Sequence, residues 1–146
     1  MEGKPNVVWI TLDSIRQDRT NMAGFNRDTT PEMERIAAAD TGTAFTECIA
    51  HGMWSLTSDA SMLSGLYPSQ HGTGLWNEVL PDGIKTVPER FAELGYYTAG
   101  ISHNAHFNDA TGLSRGFDQF KWVHNSNLLS TVGPKILLKY VLRLRS

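Results

Sequence analysis

The sequence predicts an α/β fold, with a mostly parallel sheet and flanking helices. Three observations carry that reading. Residues 7–12 (VVWITL) form a short, apolar, β-branched run, the pattern of a strand buried on both faces. Thr30-Pro31-Glu32 and Thr86-Val87-Pro88-Glu89 each place a capping threonine just before a proline, a helix-start pattern. Strand-like and helix-like stretches then alternate along the chain, as a parallel sheet requires.

The elements follow in order. The first strand ends at Asp13-Ser14, and open α/β sheets bind ligands just beyond the carboxyl ends of their strands. The helix capped by Thr30 gains an apolar face from Met33, Ile36 and Ala37. Residues 43–50 (TAFTECIA) alternate as a strand does. Next comes a cluster of Trp54, Ser55, Thr57, Ser58, Asp59 and Ser61 around Met62 and Leu63, which predicts a helix with a polar front and a packed back. The helix starting at Thr86 turns Phe91, Ala92 and Leu94 inward and ends at Gly95. Residues 96–102 (YYTAGIS) form the next strand, followed by a loop rich in Asn, His, Gly and Asp. Residues 127–146 read as a helix interrupted near Gly133-Pro134. Lys135, Lys139 and Arg143 line one side of it, and Ile136, Leu137, Tyr140, Val141 and Leu144 cover much of the rest. A basic amphipathic helix of this kind lies on a membrane surface or a partner, or else packs its apolar face on its own domain. There is no internal repeat and no low-complexity segment.

Composition sets the limits. At 146 residues, with 40% hydrophobic and 19% charged, the chain is long enough for one domain with its own core. Cys48 is the single cysteine, so neither an internal disulfide nor a cysteine metal cluster is available. The N-terminus lacks a signal-peptide pattern, and no run reaches the roughly 18 apolar residues of a membrane span, so a cytoplasmic location is expected. No nucleic-acid partner is expected. The net charge of −2 conceals an asymmetry: residues 1–118 hold eight Lys/Arg and all fifteen Asp/Glu, whereas residues 119–146 hold five Lys/Arg and no acid.

Two residues stand out chemically. Asp13 follows a buried strand. Ser55 sits at a predicted helix start, where unpaired amides and the helix dipole favour an anionic ester. A serine hydroxyl is a weak nucleophile until a base or a metal activates it. With no G-x-S-x-G elbow in the chain, a divalent cation held by Asp13 and touching Ser55 is the expected source of activation. The competing reading is plain capping, with Ser55 or Thr57 starting the helix and Asp59 favouring its first turn.

Several stretches, in order, resemble the front part of a sulfatase, in the alkaline phosphatase superfamily. PNVVWITLDSIRQDR (5–19) resembles the first strand with its metal-binding acid. DTTPEMERIAA (28–38) resembles a helix with a TPN-LDRLA-like pattern, and AFTECIA (44–50) resembles the strand before the nucleophile. WSLTSDASMLSGLYPSQHG (54–72) resembles the signature region, which ends in a TGxYPxxHG-like run. GYYTAGIS (95–102) and SRGFDQF (114–120) resemble two later landmarks.

The resemblance implies an alkaline phosphatase/sulfatase-like α/β fold and a metal-dependent hydrolase of sulfate or phosphate esters. It puts Ser55 at the nucleophile position and Asp13 at the first metal-ligand position, with Ser55 also touching the metal. Ser14 stands where many sulfatases have a second acid. Formylglycine forms at a C/S-x-P-x-R pattern. Here Thr57 replaces the proline and Asp59 the arginine, which argues against formylglycine at Ser55. Trp54-Ser55-Leu56 fits the W-T/S-L-P-S-H pattern of sulfatase-like phosphatases and phosphodiesterases better, where the hydroxyl attacks directly. Ca²⁺ is the expected cation, with Mg²⁺, Mn²⁺ and Zn²⁺ as alternatives. His103 falls near a Lys-x-His landmark and is a candidate substrate contact, and His71 matches the structural HG turn. The resemblance covers residues 5–120, so these are expected to be the N-terminal part of an incomplete, truncated domain. Residues 121–146 would be a basic tail leading towards an absent C-terminal half. Such a chain alone is expected to be inactive, to pair with that half or to self-associate. The alternative reading is a catalytically dead module that keeps the fold and binds an anion or a partner.

Overall fold

A computed structural model describes residues 3–123; the basic amphipathic helix expected over residues 127–146 lies outside the described residues. The chain divides into two compact units, residues 1–49 and residues 50–146.

In the first unit two short 3₁₀ turns, Gln17–Arg19 and Asn21–Ala23, lead to helix α1, Pro31–Ala37. Pro31 takes the first helical position, as expected, and Thr30 is the cap residue. Its hydroxyl does not cap the helix, however; it accepts the Asn21 N–H at 3.0 Å. The Asn21 side chain returns the contact. Its Oδ1 accepts the amides of Thr29 (3.0 Å) and Thr30 (2.6 Å), and its Nδ2 donates to Asp28 Oδ1 at 2.7 Å. One asparagine thus folds the loop back to the start of α1.

Two expected strands are not formed. Residues 7–12 and residues 43–50 take part in no sheet among the described residues, and Val8 is 81% exposed. A parallel strand is stable because neighbouring strands satisfy its amides and helices cover its faces. The β-branched run meets neither condition here, so its composition alone does not make it a strand. The apolar face predicted for α1 is likewise left outward at Met33 and Ile36.

The second unit holds the buried apolar core. Helix α2, Ser55–Ser64, buries Leu56, Ala60 and Leu63, one above another at helical spacing. They pack with Leu80 and Leu113, and Trp54, Ile84 and Phe107 lie against the cluster. Gly65 ends α2 at φ 71°, in the left-handed region that favours glycine. Helix α3, Pro68–His71, follows at once. Helix α4, Val87–Glu93, opens with a reciprocal cap: Thr86 Oγ1 accepts the Glu89 N–H (3.3 Å) and Glu89 Oε2 accepts the Thr86 N–H (2.7 Å). Its expected inward face is only partly realised. Pro88 is buried and Phe91 half-buried, while Ala92 and Leu94 are exposed.

Strand β1, Ala99–Ser102, pairs in parallel with β2, Gln119–Trp122, in the register Ala99 to Gln119 through Ser102 to Trp122. The pairing keeps the predicted parallel arrangement, and the connecting residues 103–118 supply the crossover of about a dozen residues that parallel strands require. Before β1, Asp118 Oδ2 accepts both the amide (2.7 Å) and the hydroxyl (3.0 Å) of Thr98, and the Asp118 N–H returns a bond to Thr98 Oγ1 at 3.0 Å. Phe107, Phe117 and Phe120 form an aromatic cluster with ring centroids 5.5–6.5 Å apart.

Gly116 lets the chain pass under α4. Its φ is +86°, and a Cβ there would lie 2.3 Å from the Glu89 nitrogen. Gly116→Ala is therefore expected to destabilise the second unit by at least about 2 kcal/mol, combining left-handed strain with a backbone overlap. Gly83→Ala, where a Cβ meets nothing within 4 Å, should stay within about 0.5 kcal/mol of the parent in urea unfolding.

Candidate functional site

Helix α2 starts without a side-chain cap. Trp54 occupies the cap position with extended backbone (φ −145°, ψ 164°), and its side chain makes no capping bond. Ser55 starts the helix, as one reading expected, but as its first helical residue rather than its cap, and Thr57 is a buried interior residue. The bond from Ser58 N–H to Trp54 O (3.2 Å) marks the helix start, so the amides ahead of it have no partner within the helix. Ser55 sits half-buried at this turn. The Ser58 hydroxyl donates to Gly52 O at 3.0 Å, which ties the incoming chain to the turn.

Thr57 is held on both sides. A Cβ on Gly52 would come within 2.7 Å of Thr57 Cβ, and one on Gly74 within 3.2 Å of Thr57 Oγ1. Asp59 is 92% buried, with a relative exposure of 8%. The two positions at which the chain departs from the formylglycine pattern thus both lie in the packed side of α2.

Further along, His71 joins α2 to α3. The Thr73 amide donates to His71 Nδ1 at 3.0 Å, so Nδ1 is the bare nitrogen. Nε2 then carries the hydrogen and donates it to Ser61 Oγ at 2.9 Å. All three residues are buried, and burial holds the His71 pKa below its usual value of 6.5. A buried Ser–His pair can resemble a catalytic dyad, but here it is a structural link, as the sequence reading of His71 expects.

Asp13 is exposed and lies in the first unit, in a turn completed by Ser14 at φ 61°, a left-handed conformation uncommon outside glycine. The Ser14 hydroxyl donates to Asp13 Oδ1 at 3.3 Å. Asp13 and Ser55 thus belong to different units. Among the described residues no three or more His, Cys, Asp or Glu side chains gather into a metal-holding group.

His103 is exposed just after β1. The histidine ring that meets Trp54, at the start of α2, is that of His106, in a T-shaped pair with centroids 5.2 Å apart and planes at 67°. Sequence reasoning passed over it. The signal available was Asn104, whose Oδ1 accepts the His106 amide at 2.8 Å and turns the chain after β1.

The family model for sulfatases matches residues 5–135. Among curated proteins, a sulfatase from Formosa agariphila is 29% identical over 136 residues, covering 80% of this chain and 26% of its own length. An N-acetylgalactosamine-6-O-sulfatase from Bacteroides thetaiotaomicron is 29% identical over 103 residues, covering 67% of this chain and 20% of its own length. The chain thus spans about a quarter or less of these relatives. No solved structure matches it significantly. No helix among the described residues is long and apolar enough to cross a membrane.

The lowered pKa of His71 gives a signed pH effect. The unfolded chain takes up this proton near pH 6.5 while the folded protein still resists it, so the stabilisation is fully present above about pH 6.5 and is lost as the pH falls through the lower folded value. Thermal unfolding between pH 8 and pH 5 should show this loss, and His71→Gln should flatten it. Imidazole ¹⁵N spectra should show the Nε2–H tautomer persisting below pH 6.5.

Proposed function

Since the chain belongs to the sulfatase family, we propose that it carries the front of an ester-hydrolase site for sulfate or phosphate esters, with Ser55 as nucleophile and Asp13 as the first metal ligand. The observation that carries this reading is the position of Ser55. It is the first residue of a ten-residue helix, half-buried, at a turn whose leading amides have no partner within the helix. Such a turn suits the anionic oxygens of an ester group, through its amides and through the positive end of the helix dipole. In the step assigned to Ser55, its Oγ forms the bond to sulfur or phosphorus. The bond to the leaving alcohol oxygen breaks, and the hydroxyl proton passes to that oxygen. Water then cleaves the seryl ester.

Sulfatases as a family bind a divalent cation, which supplies charge neutralisation and nucleophile activation. Asp13 offers one hard carboxylate oxygen site, which suits Ca²⁺ and serves Mg²⁺, Mn²⁺ or Zn²⁺ less specifically. A Ca²⁺ shell takes roughly six to eight oxygens, and the described residues do not gather such a set. They do not by themselves fit a complete metal centre, so no step is routed through one. Asp59, buried where the modification pattern has arginine, favours a second reading, in which the fold is kept and an anion or partner is bound without turnover.

His103 remains a proposed substrate contact on the strength of its place just beyond β1.

Two measurements test the assignment. Aryl sulfate and aryl phosphate esters are assayed with each of the four cations, beside Ser55→Ala. The 146-residue chain alone is expected to bind the cation weakly and to show little or no turnover, and any activity it does show should fall at least ~100-fold in Ser55→Ala. Turnover that persists in that variant removes Ser55 from the nucleophile role. Intact-mass analysis after co-expression with the formylglycine-generating enzyme should show the Ser55 peptide unchanged. Loss of two hydrogens at that peptide would show that Thr57 and Asp59 do not block the modification.

A further inference from the structure

We infer that His106 is a positioning residue: its ring fixes Trp54, and through Trp54 the place from which α2 starts and at which Ser55 stands. The reason lies in the helix start. Trp54 is the cap residue, its backbone is extended, and its side chain makes no capping bond. The Ser58 hydroxyl ties Gly52 to the turn, and the place of the Trp54 ring contributes with it to the direction in which the chain enters α2. One support is the core cluster of Leu56, Ala60, Leu63, Leu80 and Leu113, against which Trp54 packs. The other is the imidazole of His106, 5.2 Å away with the ring planes at 67°, within the range in which aromatic edges and faces attract.

His106 is itself held by the parallel strand pair. Its amide donates to Asn104 Oδ1 (2.8 Å), and its carbonyl accepts the Thr111 hydroxyl (2.6 Å). The Asn104 carbonyl accepts the Phe107 amide (3.2 Å) and the indole N–H of Trp122, the last residue of β2, at 3.0 Å. An unbroken series of contacts thus runs from β2 through Asn104 and His106 to Trp54, the residue before Ser55. If Ser55 is the reactive hydroxyl, as proposed, His106 acts on it only through Trp54. What matters at position 106 is then a flat aromatic ring rather than an ionisable nitrogen.

That distinction gives the test, which is read by amide hydrogen exchange and so does not depend on catalysis. The bond from Ser58 N–H to the Trp54 carbonyl reports the helix start directly. Gly65 N–H to Ser61 O, at the far end of α2, and Gln119 N–H to Thr98 O, at the strand pair, are references. In the 146-residue chain, His106→Ala should speed exchange at Ser58 roughly three- to tenfold and leave both references within about twofold. His106→Phe should return Ser58 to within about twofold of the parent. An unchanged Ser58, an equal rise at all three amides, or a failure of phenylalanine to restore protection each overturns the inference. Failure of the Ser55 assignment would appear instead in the Ser55→Ala hydrolysis assay, with the exchange pattern intact.

Discussion

The second unit depends on one constraint on α2: its back is buried against the leucine core. Leu56, Ala60 and Leu63 occupy three successive turns of one face and meet Leu80 and Leu113, all fully or nearly fully buried. At about 1.5–3 kcal/mol for each buried aliphatic side chain, this small cluster is the main apolar anchor of the unit. Everything that shapes the front of α2 is fixed relative to that anchor. The helix cannot slide or rotate without exposing leucine, so the first turn, and Ser55 in it, is held by a contact on the opposite face.

Because the apolar core is small, polar groups carry much of the remaining architecture. Thr86, Thr98, Thr111 and Ser114 are all buried, and each meets a specific partner. Thr86 Oγ1 donates to the Arg115 carbonyl at 2.9 Å, and Thr98 Oγ1 donates to the Gly116 carbonyl at 2.6 Å. The Arg115 guanidinium reaches back to the Pro81 and Ile84 carbonyls and to Asp82. These bonds tie the residues before β2 to α4 and to the turn before it. A buried hydroxyl left without its partner costs more than the bond contributes when made, so such contacts specify one arrangement more strongly than they stabilise it.

Local signals were legible in the sequence and long-range ones were not. The starts of α1 and α4 could be read from Thr30-Pro31 and Thr86-Val87-Pro88-Glu89, because capping and proline geometry act over three or four residues. Gly95, at positive φ, was legible as a helix end for the same reason. The run VVWITL was read as a strand on composition, yet strand formation depends on partners that composition does not reveal. The opposite error applies to β2, whose Gln-Phe-Lys-Trp alternation is too short to register alone and becomes a strand by pairing with β1. At the site, the placing of Ser55 at a helix start was legible. The role of His106 was not, since a contact between residues 52 positions apart leaves no periodic trace.

Electrostatics at the front of α2 narrows what the site must obtain from elsewhere. The positive end of a helix dipole amounts to about half an elementary charge. Residues 55–64 contain no lysine or arginine, and Asp59 places a carboxylate one turn behind Ser55, inside the packed side of the helix. An arginine at the Asp59 position would add to the dipole; without it, α2 alone offers an incoming sulfate or phosphate ester only its amide hydrogen bonds and the dipole itself. Compensating charge for a bound ester must therefore come from outside α2. Asp59 is thus the position at which this chain withdraws from α2 the positive side chain of the modification pattern.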